Sequence, residues 1–358
     1  YLDSADLRSS VVSLAKTVGY TPTSAVCSTA NINVVVNNGV GSSITMSRGT
    51  KFTSSVNGQS YTFVNNADIS VIPSDGIYTF SNVELKEGSL LTFKYTANST
   101  DIDQRFIIPN DNVDTGTLTV KVQNSSSDLI TNTYALVDGI TTLDSTSKVY
   151  FLQEIEDGRY EVYFGDGVLG KKIEDGNIVI LDYIVCNTDA PNGASSFTLS
   201  GTLGGFSNVT ITTNSGAAGG SDQETISSIK YNAPRDYTAQ DRAVTAEDYK
   251  VLVKGLYANA QSVQVYGGED ADPVAFGKVY ISIKAKSGSN LTTVTKESIV
   301  KSLKSYAVAS VTPVVIDPET TFLTLTTNFK YNSSISTLGL STLQTNVLNT
   351  ITSHNNDT

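Results

Sequence analysis

"RYEVYFGDGVLGKKIEDGNIVILDYIV", residues 159–185, decides between a chemical and an architectural interpretation of this chain. It places acidic residues beside glycines in two turns, as loops that bind metal ions or catalyse reactions do. The same pattern is typical of tight corners in a sheet, because Asp-Gly pairs tolerate the positive φ angles of type I′ hairpin turns. An ordinary side chain costs about 1–2 kcal/mol in that left-handed conformation.

The architectural interpretation accounts for these residues without any chemistry. Two alternating runs lie on either side of Glu156-Asp157-Gly158, a second Glu-Asp-Gly at 174–176 precedes an apolar run, and residues 165–167 form a third bend. The sequence therefore predicts a β-meander with type I′ corners at both Asp-Gly pairs. The predicted structural-turn residues are Gly158, Gly165, Asp166, Gly167, Gly170 and Gly176.

Metal binding and catalysis are the chemical alternatives. A calcium loop needs several oxygen ligands at alternating positions, and the segments 101–103 ("DID") and 110–116 ("NDNVDTG") do not complete that pattern. The single histidine, His354, lies in a C-terminal tail that we expect to fray, which excludes Ser-His-Asp, Cys-His and His-zinc sites. Paired carboxylates of the glycosidase type stay open. We predict no catalytic residue, no metal and no cofactor, and hence a protein that is not an enzyme.

Composition and charge distribution limit the class of protein. Charged residues make up only 16% of the 358 residues, while Ser, Thr, Asn and Gly favour turns and exposed strand faces. The net charge of −11 arises in residues 1–230, which hold 13 basic and 24 acidic side chains, whereas residues 231–358 hold 11 of each. A nucleic-acid binder needs a concentrated basic surface, so this class is excluded. The change near residue 230 predicts a domain boundary.

Neither a membrane span nor a disulfide framework is predicted. The best apolar run, "NIVILDYIV" at 177–185, has the length of a strand and contains Asp182, whereas a bilayer span needs about 20 apolar residues. Cys27 and Cys186 are predicted to be small buried hydrophobic residues in a reducing compartment. Because the chain begins with Tyr1 rather than Met, we interpret it as a fragment or a processed chain.

Hydrophobic periodicity predicts a mainly β, multidomain chain that ends in an α+β domain. An amphipathic helix is predicted over 4–19, with Ser4 as its N-cap and Gly19 as its stop. Short β-prone runs separated by turn residues follow from about 31 to 212, which favours short-stranded β modules. The predicted domains are a helical lead-in at 1–20, a β domain at 21–100, a β-meander domain at 101–220 with a Gly-rich arm at 188–220, and an α+β assembly domain at 221–358.

The last third alternates helices and strands in an α-β-β-α-β-β-α unit. Ser221 and Glu224 match a capping box that opens a short helix, which Ala233-Pro234 ends. Thr245 and Asp248 repeat the capping pattern ahead of a second helix. Strands are predicted at 261–266, 277–286, 310–316 and 321–330, and helices at 293–306 and about 337–352.

Charged residues in this last third allow a structural or an interface interpretation. Arg235 and Arg242 flank "DYTAQD", where each can brace a nearby carboxylate (Asp236, Asp241 or Asp248) or one from another subunit. A lysine group forms either a solvated face or a contact with an acidic partner: Lys284, Lys286, Lys296, Lys301 and Lys304. The residues predicted for assembly contacts are Arg235, Asp236, Arg242, Thr245, Asp248 and Tyr249.

Five segments, in order along the chain, carry a recognisable family pattern. The segment 219–253 contains "AP" at 233–234 followed by "RAVT" and "DY" within 242–249, and the segment 163–187 contains "FGDG" followed by two spaced glycines. These segments resemble the baseplate J-like proteins of contractile phage tails, and the Ser/Thr/Asn-rich composition is most similar to the T4-type members. Further similar segments lie at 49–65, 105–122 and 263–288.

The resemblance implies a structural protein of the virion that carries out no bond chemistry. Such proteins join with copies of themselves and with other wedge subunits into a ring around the central hub of the baseplate, and the ring rearranges when the sheath contracts. The expected partners are therefore a second copy of the chain, as a homodimer and in ring contacts, and other wedge proteins. Assembly is expected in the host cytoplasm. The β-rich composition and 18 tyrosines leave a second interpretation open, a glycan-binding adhesin of a virion or a secreted protein.

Overall fold

The fold is mainly β with a C-terminal α+β region, which confirms the predicted fold class. A computed structural model describes residues 1–37, 42–98, 100–101, 104–137, 143–155, 158–239, 242–257, 260–285, 290–291, 293–308, 310–319 and 340–357. The chain divides into two units, Tyr1–Pro318 and Glu319–Thr358. None of the helices in these ranges is both long enough and apolar enough to cross a membrane.

The first sheet is antiparallel and has an apolar core that includes several aromatic rings. Its spatial order is β14 (Thr198–Leu199), β3 (Lys51–Val56), β4 (Gln59–Asn65), β6 (Tyr78–Glu87), β1 (Thr29–Val36) and β15 (Val209–Ala218). Asn57-Gly58 joins β3 to β4 with φ angles of 51° and 82°, as a type I′ turn requires. Phe52, Phe63 and Phe80 are fully buried. A small sheet of β2 (Ile44–Met46) and β5 (Ile69–Val71) accompanies it.

The predicted Gly-rich arm at 188–220 contributes two strands to this first sheet. Strand β15 pairs with β1 along its length, and β14 pairs with β3. The alternation of Val209 and Ile211 with threonines is the period of a strand. The many glycines around it obscured that signal.

The second sheet mixes one parallel pair with antiparallel neighbours. Its order is β7 (Ser89–Thr96), β13 (Ile178–Val185), β9 (Val113–Gln123), β10 (Thr131–Leu136), β11 (Val149–Glu154), β12 (Tyr160–Phe164) and β8 (Phe106–Ile107), with β10 and β11 parallel. The β11–β12 hairpin matches the prediction. The continuous meander is wrong, because β13 pairs with β7 and β9 rather than with β12. A strand that is apolar on both faces belongs inside a sheet.

The two sheets meet where β6 leads directly into β7. Gly88 lies between them with φ +126°, and a Cβ there would lie 2.3 Å from the Val185 carbonyl oxygen. The chain returns beside this point, since the Asn187 N–H and side-chain amide donate to the buried Glu87 carboxylate at 2.8 and 2.6 Å. Burial raises the pKa of Glu87. The segment 89–186 therefore leaves the first sheet and returns to it at one place.

Apolar side chains fill the rest of this junction. Cys27 and Cys186 are buried free thiols, as predicted, and they share one cluster with Val64 and Ile184. The carboxylate of Asp114 accepts from the Cys27 N–H at 3.1 Å and so ties the start of β1 to β9. A hydrogen bond with the Cys186 thiol, followed by burial, raises the pKa of the Cys27 thiol.

Two helices pack against each other, and both differ from the prediction. Helix α1 is Arg8–Thr17 with Leu7 as its N-cap, because Ser4 ends a separate 3₁₀ turn. Helix α2 is Ile226–Ala239 and continues through Pro234. Ile229 and Ala233 of α2 are buried against α1, and this packing outweighs the hydrogen bond that proline removes.

The α+β region is a three-stranded sheet with helices on it. Helix α3 (Ala246–Leu256) leads into β16 (Ala260–Gly267) and β17 (Lys278–Ala285), and α4 (Thr293–Leu303) connects β17 to the parallel strand β18 (Thr312–Ile316). Ile281 and Ile283 of β17 pack against Leu303 of α4. These elements match the predicted order as far as β18. The predicted strand at 321–330 lies outside the described residues.

The second unit contains helix α5, Leu340–Asp357. The prediction of a helix in this region is confirmed. The helix continues to Asp357, and the prediction that the tail 353–358 frays stays a prediction.

Candidate functional site

Asp166, at the centre of the segment 159–185, stabilises its own loop. Between β12 and β13, Asp166 accepts hydrogen bonds from the N–H groups of Val168 at 2.8 Å and Leu169 at 3.0 Å. These bonds lower the pKa of Asp166, since they favour the charged carboxylate. An aspartate that bonds the backbone two residues on forms a turn.

Glycines allow this loop to close on itself. A Cβ at Gly165 would lie 2.2 Å from the Leu169 carbonyl oxygen, and one at Gly170 would lie 2.9 Å from Cγ2 of Val149. Gly167 (φ +92°) donates its N–H to the Gly170 carbonyl at 3.1 Å. A side chain at Gly165 would therefore open the loop itself, and one at Gly170 would displace the loop from β11.

The glycines of the two outer corners are left-handed. Gly158 has φ +72° and Gly176 has φ +76°, whereas Asp175 keeps a negative φ. The type I′ prediction is thus wrong at Asp175-Gly176, because this corner leads into a strand that pairs elsewhere and needs no hairpin twist. Glu156 and Asp157 lie outside the described residues.

Of the acids in the two calcium-like segments, Asp114 is held in structural hydrogen bonds. In 110–116, the buried carboxylate of Asp114 accepts from Gly116 N–H at 2.9 Å as well as from Cys27. In 101–103, only Asp101 is described. Across the described part of the chain, no group of three or more His, Cys, Asp or Glu side chains is placed to hold a metal ion.

Three of the predicted assembly residues stabilise the chain's own fold, and two others are exposed arginines. Thr245 and Asp248 form a reciprocal capping box at the start of α3, as predicted, and Tyr249 is only 1% exposed in the core. Arg235 and Arg242 are exposed. The Arg235 guanidinium lies 3.5 Å from the centre of the Tyr231 ring and donates to the Tyr231 carbonyl at 2.7 Å. Tyr231 itself is 51% exposed, so this pair is an accessible Tyr–Arg surface.

A polar cavity of about 380 Å³ lies beside this surface, where α2 faces α3 and β16. Asp236 and Glu224 line it. The Glu224 carboxylate accepts from the Tyr20 hydroxyl at 2.8 Å, and it also accepts from Ser228 and Asn232 of α2. Burial, followed by the charge of Glu224, raises the pKa of Tyr20. The capping-box interpretation of Ser221 and Glu224 missed this network because the Tyr20 donor lies 204 positions away along the chain.

A second cavity, of about 510 Å³, borders the loop that Asp166 closes. Arg105 pairs there with Glu161 at 2.7 Å and lies over the Tyr163 ring. The lining residues are Asp101, Gln104, Arg105, Phe106, Tyr163, Phe164, Gly165, Asp166, Lys172, Ile173, Glu174 and Asp175.

Comparisons with known proteins agree with the family pattern in the sequence. Residues 93–186 match the model of the bacteriophage baseplate wedge protein gp6, third domain, and residues 245–316 match that of the baseplate structural protein gp6, C-terminal domain I. The chain is 30% identical to baseplate wedge protein gp6 of Enterobacteria phage T4 over 94% of its own length. It spans about half of that relative, 53%.

A solved baseplate is a more distant match. The cryo-EM structure of the anti-feeding prophage baseplate, 6-fold symmetrised, is 11% identical, with a TM-score of 0.29 over 89% of this chain and 62% of the other. That likeness is too low to bear on the assignment. Two domain matches in order, together with similarity along nearly the whole chain, show that this protein is a relative of the T4-type baseplate wedge protein gp6.

Proposed function

We propose that the chain is a structural subunit of a contractile-tail baseplate wedge, resident in the tail baseplate of the virion. The observation that carries the proposal is the similarity to a baseplate wedge protein along 94% of the chain. In this role the chain joins copies of itself and other wedge proteins into a ring around the hub, and the ring rearranges on sheath contraction. It carries out no bond chemistry.

The described carboxylates support an architectural role. Asp166 closes a loop, Asp114 links the start of β1 to β9, and Glu224 accepts from α2 and from the segment after α1. Each accepts hydrogen bonds that fix backbone or side chains of its own chain. Acids held in this way are not positioned to act on a substrate.

The Tyr–Arg surface on α2 supports self-association through residues 221–358. Tyrosine and arginine are over-represented among the residues that dominate binding energy, and both Tyr231 and Arg235 are exposed. Arg242, which is also exposed, lies just before the N-cap of α3. A stable contact here should bury on the order of 1,600 Å² in total.

Arg242→Ala tests this assembly surface. We expect the variant to self-associate more weakly than the unchanged chain in sedimentation velocity, while its thermal unfolding midpoint stays within about 2 °C. Lys51→Ala, an exposed cation on β3, is the matched control and should leave association unchanged.

Two outcomes would contradict the proposal at different levels. A variant that assembles like the unchanged chain removes Arg242 from the interface. The wedge function itself is contradicted if the chain stays monomeric at high concentration and image reconstruction of purified tail baseplates does not find it there.

A further inference from the structure

The cavity of about 510 Å³ lies beside two turns, near residues 97–101 and 174–177, which backbone hydrogen bonds hold together. The Ala97 N–H donates to the Asn177 carbonyl at 2.8 Å, and the Gly176 N–H donates back to the Ala97 carbonyl at 3.0 Å. The Asn98 carbonyl then accepts from the Asp101 N–H at 3.1 Å and from the Gln104 side chain at 2.6 Å. Asp101 and Glu174 are therefore fixed on adjoining turns at the rim of one cavity.

These two carboxylates differ from the other acids nearby. Glu161 is paired with Arg105, and Asp166 accepts two backbone N–H groups. Asp101 and Glu174 are exposed, and among the described residues neither has an ion-pair partner. The cavity is lined by more acidic side chains (Asp101, Asp166, Glu174 and Asp175) than basic ones (Arg105 and Lys172), and two of those acids are exposed at its rim without an ion pair among the described residues.

The lining of the cavity also includes apolar side chains, and its aromatic rings already contact other groups. One side of Tyr163 is stacked on Phe151 at 5.0 Å between ring centres, and the Arg105 guanidinium lies 5.0 Å from the ring centre. Phe164 makes edge contacts with Phe106 and Tyr134 at 5.6 and 5.3 Å. A sugar would need an open ring to stack on, whereas an aliphatic stem needs only the apolar surface of Phe164 and Ile173.

We propose that this cavity binds the side chain of an arginine from a partner protein. The aliphatic stem would pack on the apolar wall, as arginine stems do on protein surfaces. The planar guanidinium has five donors, so it can bond the Asp101 and Glu174 carboxylates at the same time. The proposal is independent of the wedge function, because it requires only a protein that presents an arginine.

Binding of a short arginine peptide to the full chain tests the proposal. The peptide is acetyl-Gly-Arg-Gly-amide, and its citrulline counterpart is a control of equal shape without the charge. We expect saturable shifts of the Ile173 methyl resonance with the arginine peptide at millimolar concentration, and weaker ones at high salt. The citrulline peptide should cause none.

Paired variants locate the binding. Asp101→Asn combined with Glu174→Gln should weaken the arginine peptide about five-fold, as expected for loss of two exposed charge contacts. Glu84→Gln combined with Glu297→Gln removes two exposed carboxylates elsewhere and should leave the affinity unchanged.

Three results would overturn the proposal. The first is no saturable shift at Ile173 with the arginine peptide, and the second is an equal shift with the citrulline peptide. The third is a shift with an oligosaccharide such as maltotriose but not with arginine, which would assign the cavity to a glycan.

Discussion

In the two sheets and at their junction, buried carboxylates link distant parts of the chain, whereas in the α+β region apolar side chains form the core. Glu87, Asp114 and Glu154 are at most 4% exposed, and each accepts hydrogen bonds from a distant part of the chain. The core of the α+β region consists of residues such as Val253, Ile281 and Leu303. The difference shows that the junction fixes geometry by directional bonds, which tolerate little change.

The largest expected effect is at Gly88. Gly88→Ala places a Cβ 2.3 Å from a backbone oxygen at φ +126°, and we expect it to lower the free energy of unfolding by about 4 kcal/mol. Gly58→Ala is the control, because Gly58 has φ +82° with nothing within 4 Å; its expected loss is about 1–2 kcal/mol. Urea titrations measure both. Equal losses would show that the junction is not tightly packed.

Removal of Arg8 comes next. Arg8 donates to Glu154 at 2.6 and 3.0 Å, and the Glu154 side chain is fully buried. Arg8→Ala should cost about 3–5 kcal/mol, because it leaves a buried charge without a partner. Lys250→Ala breaks an exposed pair with Glu247 in the α+β region and should cost less than about 1 kcal/mol. Addition of Glu154→Gln should recover part of the Arg8→Ala loss, and no recovery would contradict the role of the charge.

Glu87 gives the junction a pH dependence. Its folded-state pKa lies above the ordinary value of 4.5, so the native state keeps a proton that the unfolded state has lost. The stability contributed by this proton is present below about pH 4.5 and is lost as the pH rises through the folded-state pKa.

Glu87→Gln tests the dependence by removing the charge. The variant loses one acceptor for Asn187, so it should be less stable than the unchanged chain at pH 4, and the difference should shrink at pH 7. Chemical denaturation at both pH values measures this. Glu84→Gln, on the same strand but exposed, controls for the loss of one negative charge. A difference that grows with pH would contradict the assignment.

The smallest effect compares two buried tyrosines. The Tyr183 hydroxyl in the second sheet donates to Asn110 at 2.6 Å, so Tyr183→Phe should cost about 1 kcal/mol. The Tyr249 hydroxyl in the α+β region is buried and has no hydrogen-bond partner in the described structure. Tyr249→Phe should therefore be neutral or stabilising by about 1 kcal/mol. A clear loss at Tyr249 would mean that this core is also held by a directional bond.

Local signals predicted the local elements of this fold. The capping box of Thr245 and Asp248 requires residues only three apart, and it forms as predicted. The Asn57-Gly58 turn and the β11–β12 hairpin also depend on neighbouring residues alone. These features could be derived from sequence because the interacting groups are close along the chain.

Features that depend on distant partners could not be derived in the same way. Helix α2 passes Pro234 because α1 packs against it, and β13 lies between β7 and β9 because both of its faces are apolar. The local sequence pattern of α2 or of β13 does not indicate which distant element packs or pairs with it. The roles of Glu224 and of the two cavities likewise arise from residues more than a hundred positions apart or from separate turns.

The chain leaves the first sheet after Glu87 and returns at Asn187, and this arrangement has a consequence for protein engineering. Glu87 and Asn187 are hydrogen-bonded neighbours although a hundred positions separate them. A short linker between these two residues would bypass the whole intervening module and still allow β15 to reach β1. The intervening module is thus an insertion into the first sheet, and other modules whose ends lie close together could be inserted between Glu87 and Asn187.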